Sequence, residues 1–395
     1  MRVRTFQELV GPTGSRLLTA MDTSGGMEET DPLRLSGRLR REYDPDLVAA
    51  ALSQRDLRRR AARKLGADAA RMWFTRDGLE QATRARVADD RAQRLVRQIG
   101  GGSAVVELGC GIGADLLAMA RAGLRVCGVD LDPLRVALAR ANLAALGLPG
   151  RVDEADATAV DLSAFAAAFA DPARRDRAGR VFDPTRGRPD WEFVSALLRG
   201  KAVVKTAPGI AHAQVPDGVE AAWTSDDGDL VEAALWGVPL ATTRRRATLL
   251  PSGATLTEAD DPGHAGESEP QAYLLEPDDA VIRAGLVTAV AARTGGALLD
   301  RHIAYVTADS PGVTPFARAY RIVDEVPFHE RPLRQALRAR RIGALAIKKR
   351  GVDVVPEVLR KRLALRGSES GTLVMTRVLG AGRAFLVEPV SSRGD

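Results

Sequence analysis

The residues with the clearest chemical potential lie between 105 and 175. Val105-Val106-Glu107-Leu108 is an apolar run carrying one carboxylate, and it breaks into Gly109, Gly111 and Gly113 at alternate positions. A strand, a tight glycine turn and a helix start let backbone N–H groups approach a nucleotide-like ligand closely. The next apolar run, 124–129, closes on Asp130 about twenty residues further on, where an acidic side chain can take a ribose diol. Glycines alone are a weak signal, because strand-to-helix turns need them for their own geometry. The spacing here is E-x-G-x-G-x-G rather than the dinucleotide form G-x-G-x-x-G. Two acidic stretches follow in order, Asp153-Glu154-Ala155-Asp156 and Asp171-Pro172-Ala173-Arg174-Arg175.

Alternating strands and helices must position these groups. A helix over 111–122 follows the first strand, and Asp132-Pro133 opens another over 134–146 that Gly147 ends. The short third strand closes at 153–161. Ala164–Ala170 is expected as strand four, although its alanines and the spacing of Phe165 and Phe169 suit a helix as well. Ala202–Lys205 fits strand five, with a turn at Pro208-Gly209. Asp226-Asp227-Gly228 and Pro251-Ser252-Gly253 each separate two strand-like runs, a hairpin signal. The pattern predicts a mainly parallel sheet with an antiparallel edge.

Around this core the chain changes character. Phe6, Leu9, Leu17 and Leu18 suggest a short N-terminal helix, and 32–98 reads as helical and strongly basic, with a helix entry at Asp44-Pro45. Its arginines suit either a solvated helical cap or a nucleic-acid path. Met72-Trp73-Phe74-Thr75 leads through Asp77-Gly78 into an expected helix over 79–97, which Thr75, Glu80 and Gln81 could cap. The acidic, Gly- and Pro-rich stretch 257–271 reads as a linker. Beyond it come a helix over 278–292, strands at 303–306 and 319–323, a helix over 333–342, a strand over 344–348, a helix over 356–363, and strands at 372–378 and 383–387. This is a small α+β module. Its segment 331–366 holds twelve Lys or Arg against two Asp or Glu, a net excess of ten positive charges, densest at Lys348-Lys349-Arg350 and Arg360-Lys361-Arg362. So one-sided a block favours a phosphate-backbone contact over a merely solvated face.

Composition narrows the classes further. The chain has 395 residues, room for two or three domains, and a net charge of +6. Domains are expected over 1–84, 85–260 and 270–395. No apolar run reaches the roughly 18 residues a membrane-spanning helix needs, and the start lacks a signal-peptide core, so a cytoplasmic protein is expected. The two cysteines, Cys110 and Cys127, offer no disulfide framework, and the four histidines are scattered, so no metal site is expected.

On Phe74–Thr83, the 107–113 turn, Asp171–Arg175, Lys205-Thr206-Ala207-Pro208-Gly209 and Ile347–Val354, nearly the whole chain resembles a bacterial family of class I S-adenosylmethionine (SAM) methyltransferases with a C-terminal THUMP-like domain. The resemblance implies a Rossmann-like α/β methyltransferase sheet, an N-terminal helical region and a small α+β THUMP-like domain. It implies SAM as cofactor, held by Glu107, Gly109, Gly111, Gly113 and Asp130, with Asp156 toward the adenine amine and Thr75 on the segment that folds over the cofactor. Glu80 and Gln81 would face SAM or substrate. In amino-methylating relatives an acidic or amide side chain and the next backbone carbonyl accept the hydrogens of an exocyclic amine, roles that fall on Asp171 and Pro172. This chain departs from their pattern in having Ala173 for a second proline and Arg174 for the stacking aromatic. Arg174 could stack on a base, clamp a phosphate or pair with Asp171. Arg175, Lys348, Lys349 and Arg350 are the expected substrate contacts.

THUMP domains bind structured RNA, so the implied partner is RNA such as tRNA or rRNA, methylated on a base. A small-molecule acceptor and a catalytically silent RNA-binding protein are the competing readings. The basic block argues against the first, and the intact glycines and Asp171 against the second.

Overall fold

The computed structural model describes residues 1–23, 32–174, 187–188 and 190–390. The chain divides into two compact units, residues 1–219 with 234–241, and residues 220–233 with 242–395. No helix among the described residues is long and apolar enough to cross a membrane.

The first unit opens with α1 (Val3–Val10), α2 (Pro12–Thr23), α3 (Pro32–Leu39) and α4 (Pro45–Leu65). Leu9, Leu17, Met21, Leu35, Leu39, Leu47 and Val48 bury a common core among them. Pro45 starts α4, and Asp44 caps it by accepting the N–H groups of Asp46 and Leu47 at 2.8 and 3.2 Å. The single helix expected over 79–97 is instead two, α5 (Arg76–Gln81) and α6 (Ala85–Ile99). The break falls where Ala82 turns extended and Thr83 is buried, its hydroxyl donating to Asp115 at 2.8 Å. Here a buried side-chain hydrogen bond outweighs helix continuity.

The sheet of this unit is built from β1 (Ala104–Leu108), β2 (Arg125–Asp130), β3 (Arg151–Glu154) and β4 (Ala167–Ala170). The two-residue pair β5 (Ala173–Arg174) and β6 (Gly187–Arg188) follows β4, and β7 (Ala202–Thr206) is the fifth parallel strand; α7 (Ala114–Arg121), α8 (Pro133–Leu146) and α9 (Trp191–Leu197) connect these strands. The ladders between β1, β2, β3, β4 and β7 are all parallel, in the order β7-β4-β1-β2-β3. Strand four is shorter than expected, because Leu162–Ala164 forms a 3-10 turn that Asp161 caps. All four β4 residues are buried, as a central parallel strand covered on both faces requires, which is why periodicity did not distinguish it from a helix.

Register does the positioning. Leu108 lies opposite Val129 on one side and Ala170 on the other, and Ala170 lies opposite Val204. The next residue of each strand therefore falls in one row along the carboxyl edge: Lys205, Asp171, Gly109 and Asp130. This is the switch point where β1 sends its successors to opposite sides, the usual ligand crevice of an open α/β sheet.

The second unit begins with β8 (Glu220–Asp226) and the first part of β9 (Asp229–Trp236), joined at Asp227-Gly228, whose φ angles of 54° and 81° are those of a two-residue hairpin. The expected second hairpin is β10 (Arg245–Leu250) with β11 (Ala254–Thr257), and β8 pairs with β10 in parallel. The stretch expected as a linker is folded into this unit. Asp260 accepts the N–H and hydroxyl of Thr257, and Leu298 exchanges backbone hydrogen bonds with Gly266 and Ser268. After β12 (Tyr273–Pro277), the helix expected over 278–292 is split into α10 (Asp279–Ala284) and α11 (Val287–Thr294) by Gly285 at φ 69°. Then follow β13 (Ala297–Asp300), β14 (Ile303–Ala308), β15 (Ala317–Val326), α12 (Glu330–Ala339), β16 (Ile342–Arg350), α13 (Pro356–Leu363), β17 (Glu369–Val378) and β18 (Ala381–Pro389). They form a seven-stranded sheet in the order β13-β14-β12-β15-β18-β17-β16. Leu333 and Leu337 of α12 and Leu359 and Leu363 of α13 bury against Leu345 and Leu373 of its strands. The expected elements from 303 onward are all present, each strand longer than its apolar centre.

Candidate active site

The glycine turn is held from below and bare above. Gly109, Gly111 and Gly113 all have positive φ (80°, 56° and 85°), a region costly for other residues. The N–H groups of Gly109 and Cys110 both donate to the Val129 carbonyl at 2.9 Å, stitching the turn to β2. Asp130 completes the stitch: its Oδ2 accepts from Gly111 N–H and its Oδ1 from Asp132 N–H, both at 2.9 Å. Each oxygen keeps a lone pair for a further donor such as a ribose hydroxyl. A Cβ on Gly111 would meet nothing within 4 Å, so the turn offers open backbone surface to a ligand. Beside Asp130, Leu131 is 67% exposed, an apolar side chain at the lip of the edge that sequence reading passed over. A leucine between two aspartates looks unremarkable until its exposure is known. These donors, acceptors and one apolar face suit an adenosine-bearing ligand.

The segment ahead of the sheet is locked onto this turn. Asn142 of α8, fully buried, accepts Trp73 N–H at 2.7 Å and donates to the carbonyls of Trp73 and Ile112 at 3.1 and 2.8 Å. Gln54 pairs in the same two-way manner with the backbone of Phe74, at 2.6 and 2.9 Å. A Cβ on Gly78 would fall 2.5 Å from the Ile112 side chain, so glycine is what allows α5 to sit this close. Of the two readings for Thr75, the cap is seen: its hydroxyl oxygen accepts Gly78 N–H at 3.0 Å. Glu80 and Gln81 are exposed at the end of α5. Asp156 is also exposed and accepts the N–H and hydroxyl of Thr158 at 2.9 and 2.7 Å, which hold its carboxyl below the usual range.

Under the row lies a charged cluster absent from the sequence reading. Lys205 Nζ donates to Asp171 Oδ2 at 2.7 Å and to Thr83 Oγ1 at 3.0 Å. The Thr83 hydroxyl in turn donates a hydrogen bond to Asp115, whose other oxygen takes the guanidinium of Arg91. Arg91 in turn lies 4.7 Å over the Phe169 ring. Burial alone would raise the Asp115 carboxyl, yet Arg91, Lys205 and Thr83 carry it below its ordinary value. Glu107 behaves oppositely. It is 2% exposed, its Oε2 has no hydrogen-bond partner, and burial, then Asp115 and Asp171, push its carboxyl well above the usual range. Lys64 donates to the carbonyls of Leu79 and Glu80 at 2.9 and 2.8 Å, and burial followed by Lys205 and Arg84 lowers it to about 8.

Asp171 and Pro172 are half-buried beyond β4, and the Asp171 carbonyl comes within 3.8 Å of where a Gly109 Cβ would be. Arg174 pairs through its backbone with Gly187, and its side chain and Arg175 lie outside the described residues. The acid's partner is Lys205. The basic triplet in the second unit does not form one patch. Lys348 and Arg350 share a strand face, where Lys348 meets Glu276 at 2.6 Å and Arg350 approaches Asp279 at 3.7 Å. Lys349 alternates to the opposite face and is exposed.

A parallel sheet with a glycine turn, a row of acids at its switch point and a helical segment strapped over that turn defines the class I methyltransferase architecture. Sequence comparison agrees. A methyltransferase domain model matches 105–172, a THUMP domain-like model matches 317–389, and a domain of unknown function matches 2–61. Proteins of two Mycobacterium tuberculosis strains, CDC 1551 and H37Rv, described as uncharacterized S-adenosylmethionine-dependent methyltransferases, are each 40% identical over 338 residues. The match covers 82% of this chain and 91% of theirs. A crystal structure of a candidate methyltransferase from Porphyromonas gingivalis W83 superposes with a TM-score of 0.70 at 21% identity, covering 88% of this chain and 91% of that one. The chain belongs to the S-adenosylmethionine-dependent methyltransferases, and SAM is its cofactor.

Proposed function

We propose that this enzyme methylates an exocyclic amine of a base in structured RNA such as tRNA or rRNA, with Asp171 meeting the acceptor. Bound SAM supplies a methyl group on a sulfonium, so transfer needs little from the protein beyond placement and proton handling. Gly109, Gly111 and Gly113 offer backbone surface to the cofactor, Asp130 its spare lone pairs to the ribose, Leu131 an apolar face to the adenine and Asp156 an acceptor for the adenine amine. Thr75, Glu80 and Gln81 complete the surrounding wall, with Glu107 buried beneath the turn. The amine's lone pair is delocalised into its ring. Asp171 Oδ1 and the Pro172 carbonyl accept its two hydrogens, which frees that pair to face the methyl carbon. As the carbon–nitrogen bond forms, the methyl–sulfur bond would break and its electron pair stay on the sulfur, which leaves as the thioether S-adenosylhomocysteine, while the displaced amine proton passes to Asp171 and on to water.

The observation that carries the choice of RNA is the basic surface of the second unit. Arg331 and Arg338 of α12, Arg360, Lys361 and Arg362 of α13, and Arg341 and Arg366 beside them are all exposed. Among the described residues Arg331, Lys349, Lys361 and Arg366 make no ion pair. Such a face matches a phosphate backbone, and the THUMP-like resemblance points the same way. The test is transfer of labelled methyl from SAM to total RNA from a strain lacking the protein, followed by nucleoside mass spectrometry. One new methylated nucleoside, absent with Asp171→Ala, is the expected result. No incorporation into any RNA by protein that binds SAM would move the acceptor to a small molecule.

A further inference from the structure

We propose that Lys205 is a positioning residue for methyl transfer: it holds one oxygen of Asp171 and ties that carboxylate to the α5–α6 joint, so the other oxygen meets the acceptor amine in one orientation. The inference rests on the role of Asp171 given above.

Three observations converge on it. The β4–β7 register brings Asp171 and Lys205 side by side at the strand ends. Lys205 Nζ then spends two of its three donors on Asp171 Oδ2 at 2.7 Å and Thr83 Oγ1 at 3.0 Å. The second bond has a fixed direction. Thr83 commits its only proton to Asp115 at 2.8 Å, and Asp115 is a buried carboxylate held ionised by Arg91, so Thr83 can only accept from Lys205. The donor chain runs Lys205 to Thr83 to Asp115, ending on the ion pair at the start of α7.

Without that anchor Asp171 would be a strand-end side chain, 34% exposed, with two free torsions. Alignment of reacting groups is where much of a transferase's rate comes from, and small misplacements are costly. The pairing also cancels the charge of Asp171. Arg91 offsets Asp115, the other carboxylate of the cluster, in the same way. The site thus suits a neutral amine, as on a nucleobase, over an ammonium ion. Lys205 and Thr83 stand 122 residues apart, so no local pattern could reveal the pair.

The test compares Lys205→Met, Lys205→Arg, Asp171→Ala and the Lys205→Met/Asp171→Ala double variant of the full chain. Readouts are single-turnover transfer to total RNA from the deletion strain, SAM affinity by calorimetry and thermal unfolding. Lys205→Met is expected to slow transfer about 10- to 100-fold with SAM affinity within about threefold of wild type. Lys205→Arg should recover part of the rate, and the double variant should be no slower than Asp171→Ala alone. A wild-type rate in Lys205→Met beside an inactive Asp171→Ala overturns the role of Lys205 and leaves that of Asp171 standing. A wild-type rate in Asp171→Ala removes the Asp171 reading and this one with it, and no transfer to RNA by wild-type protein that binds SAM removes the RNA acceptor and the amine orientation argued here. Loss of SAM affinity in proportion to rate would assign Lys205 to the cofactor site instead. If Lys205→Met does not fold, Thr83→Val removes the second anchor at nearly constant shape, and wild-type rates in both Thr83→Val and Lys205→Arg overturn the proposal.

Discussion

Each unit of this protein contains a lysine paired closely with a carboxylate on its sheet, and the two pairs differ in what is left over. In the second unit Lys348 meets Glu276 at 2.6 Å, and the hydroxyls of Tyr320 and Tyr305 donate to the same carboxylate at 3.1 and 3.3 Å. Both oxygens are taken, Tyr305 and Tyr320 are buried, and the acid is 16% exposed. In the first unit Lys205 takes one oxygen of Asp171 at 2.7 Å, and among the described residues no side-chain hydrogen bond takes the other. A saturated pair fastens strands together. An unsaturated one at a switch point has an acceptor to spare for a substrate. The ion pair is therefore no guide to function by itself; the unfilled lone pair is.

The largest expected effect breaks the first pair. Asp171→Ala should lower the rate of methyl transfer by about 10²- to 10⁴-fold while SAM affinity stays within a few fold, as paired rate and calorimetry measurements would show. The complementary substitution, Glu276→Ala, strands a lysine and two tyrosine hydroxyls. It should cost about 2–4 kcal/mol in denaturant unfolding of the second unit and leave SAM affinity unchanged. If Glu276→Ala instead weakened SAM binding, the contrast between a functional and a structural pair would fail. Gly111→Ala should raise the SAM dissociation constant tenfold or more, because its Cβ would enter the open face of the turn. Strain from its positive φ should add about 1–2 kcal/mol of destabilisation.

Smaller effects sharpen the comparison. Alanine at Arg331, Lys361 or Arg366 should each reduce the salt slope of RNA binding by about one, as titrations at several salt concentrations would read. The same change at Lys348 should not, since Glu276 already neutralises it. The smallest concerns Lys64, whose folded-state value of about 8 lies below its ordinary 10.5. Between those values the unfolded chain binds the proton more tightly, so stability relative to Lys64→Met should rise with pH across that window. A flat difference would show that burial does not cost Lys64 its charge.

Much of the fold was legible because its signals are local. Glycines at 109, 111 and 113, an acid ending each neighbouring strand and a Pro-started α4 are consequences of backbone geometry that one segment declares by itself. The misplaced boundaries share a cause. The helix over 79–97 broke because Thr83 turned toward Asp115, and the stretch 257–271 folded in because Leu298 supplied backbone partners. In both places a distant residue outbid local preference. The candidate site was legible to the same degree: Asp130 and Asp171 could be named from their motifs, whereas Asn142 stands in ordinary helical sequence, and the stretches holding Thr83 and Lys205 could be singled out but not the contact between them.

The order of residues by itself determined which backbone could bend to a ligand and which acids close the strands, since φ preference and hydrophobic period act within a few residues. Only the tertiary structure decided which charges are spent and which remain. Strand register set Lys205 beside Asp171, and burial left Glu107 Oε2 without a hydrogen-bond partner among the described residues. Strand alternation turned Lys349 away from Lys348 and Arg350. These outcomes depend on which segments meet across the sheet, and electrostatic and hydrogen-bond energies fall off over a few ångströms of space rather than a few residues of chain.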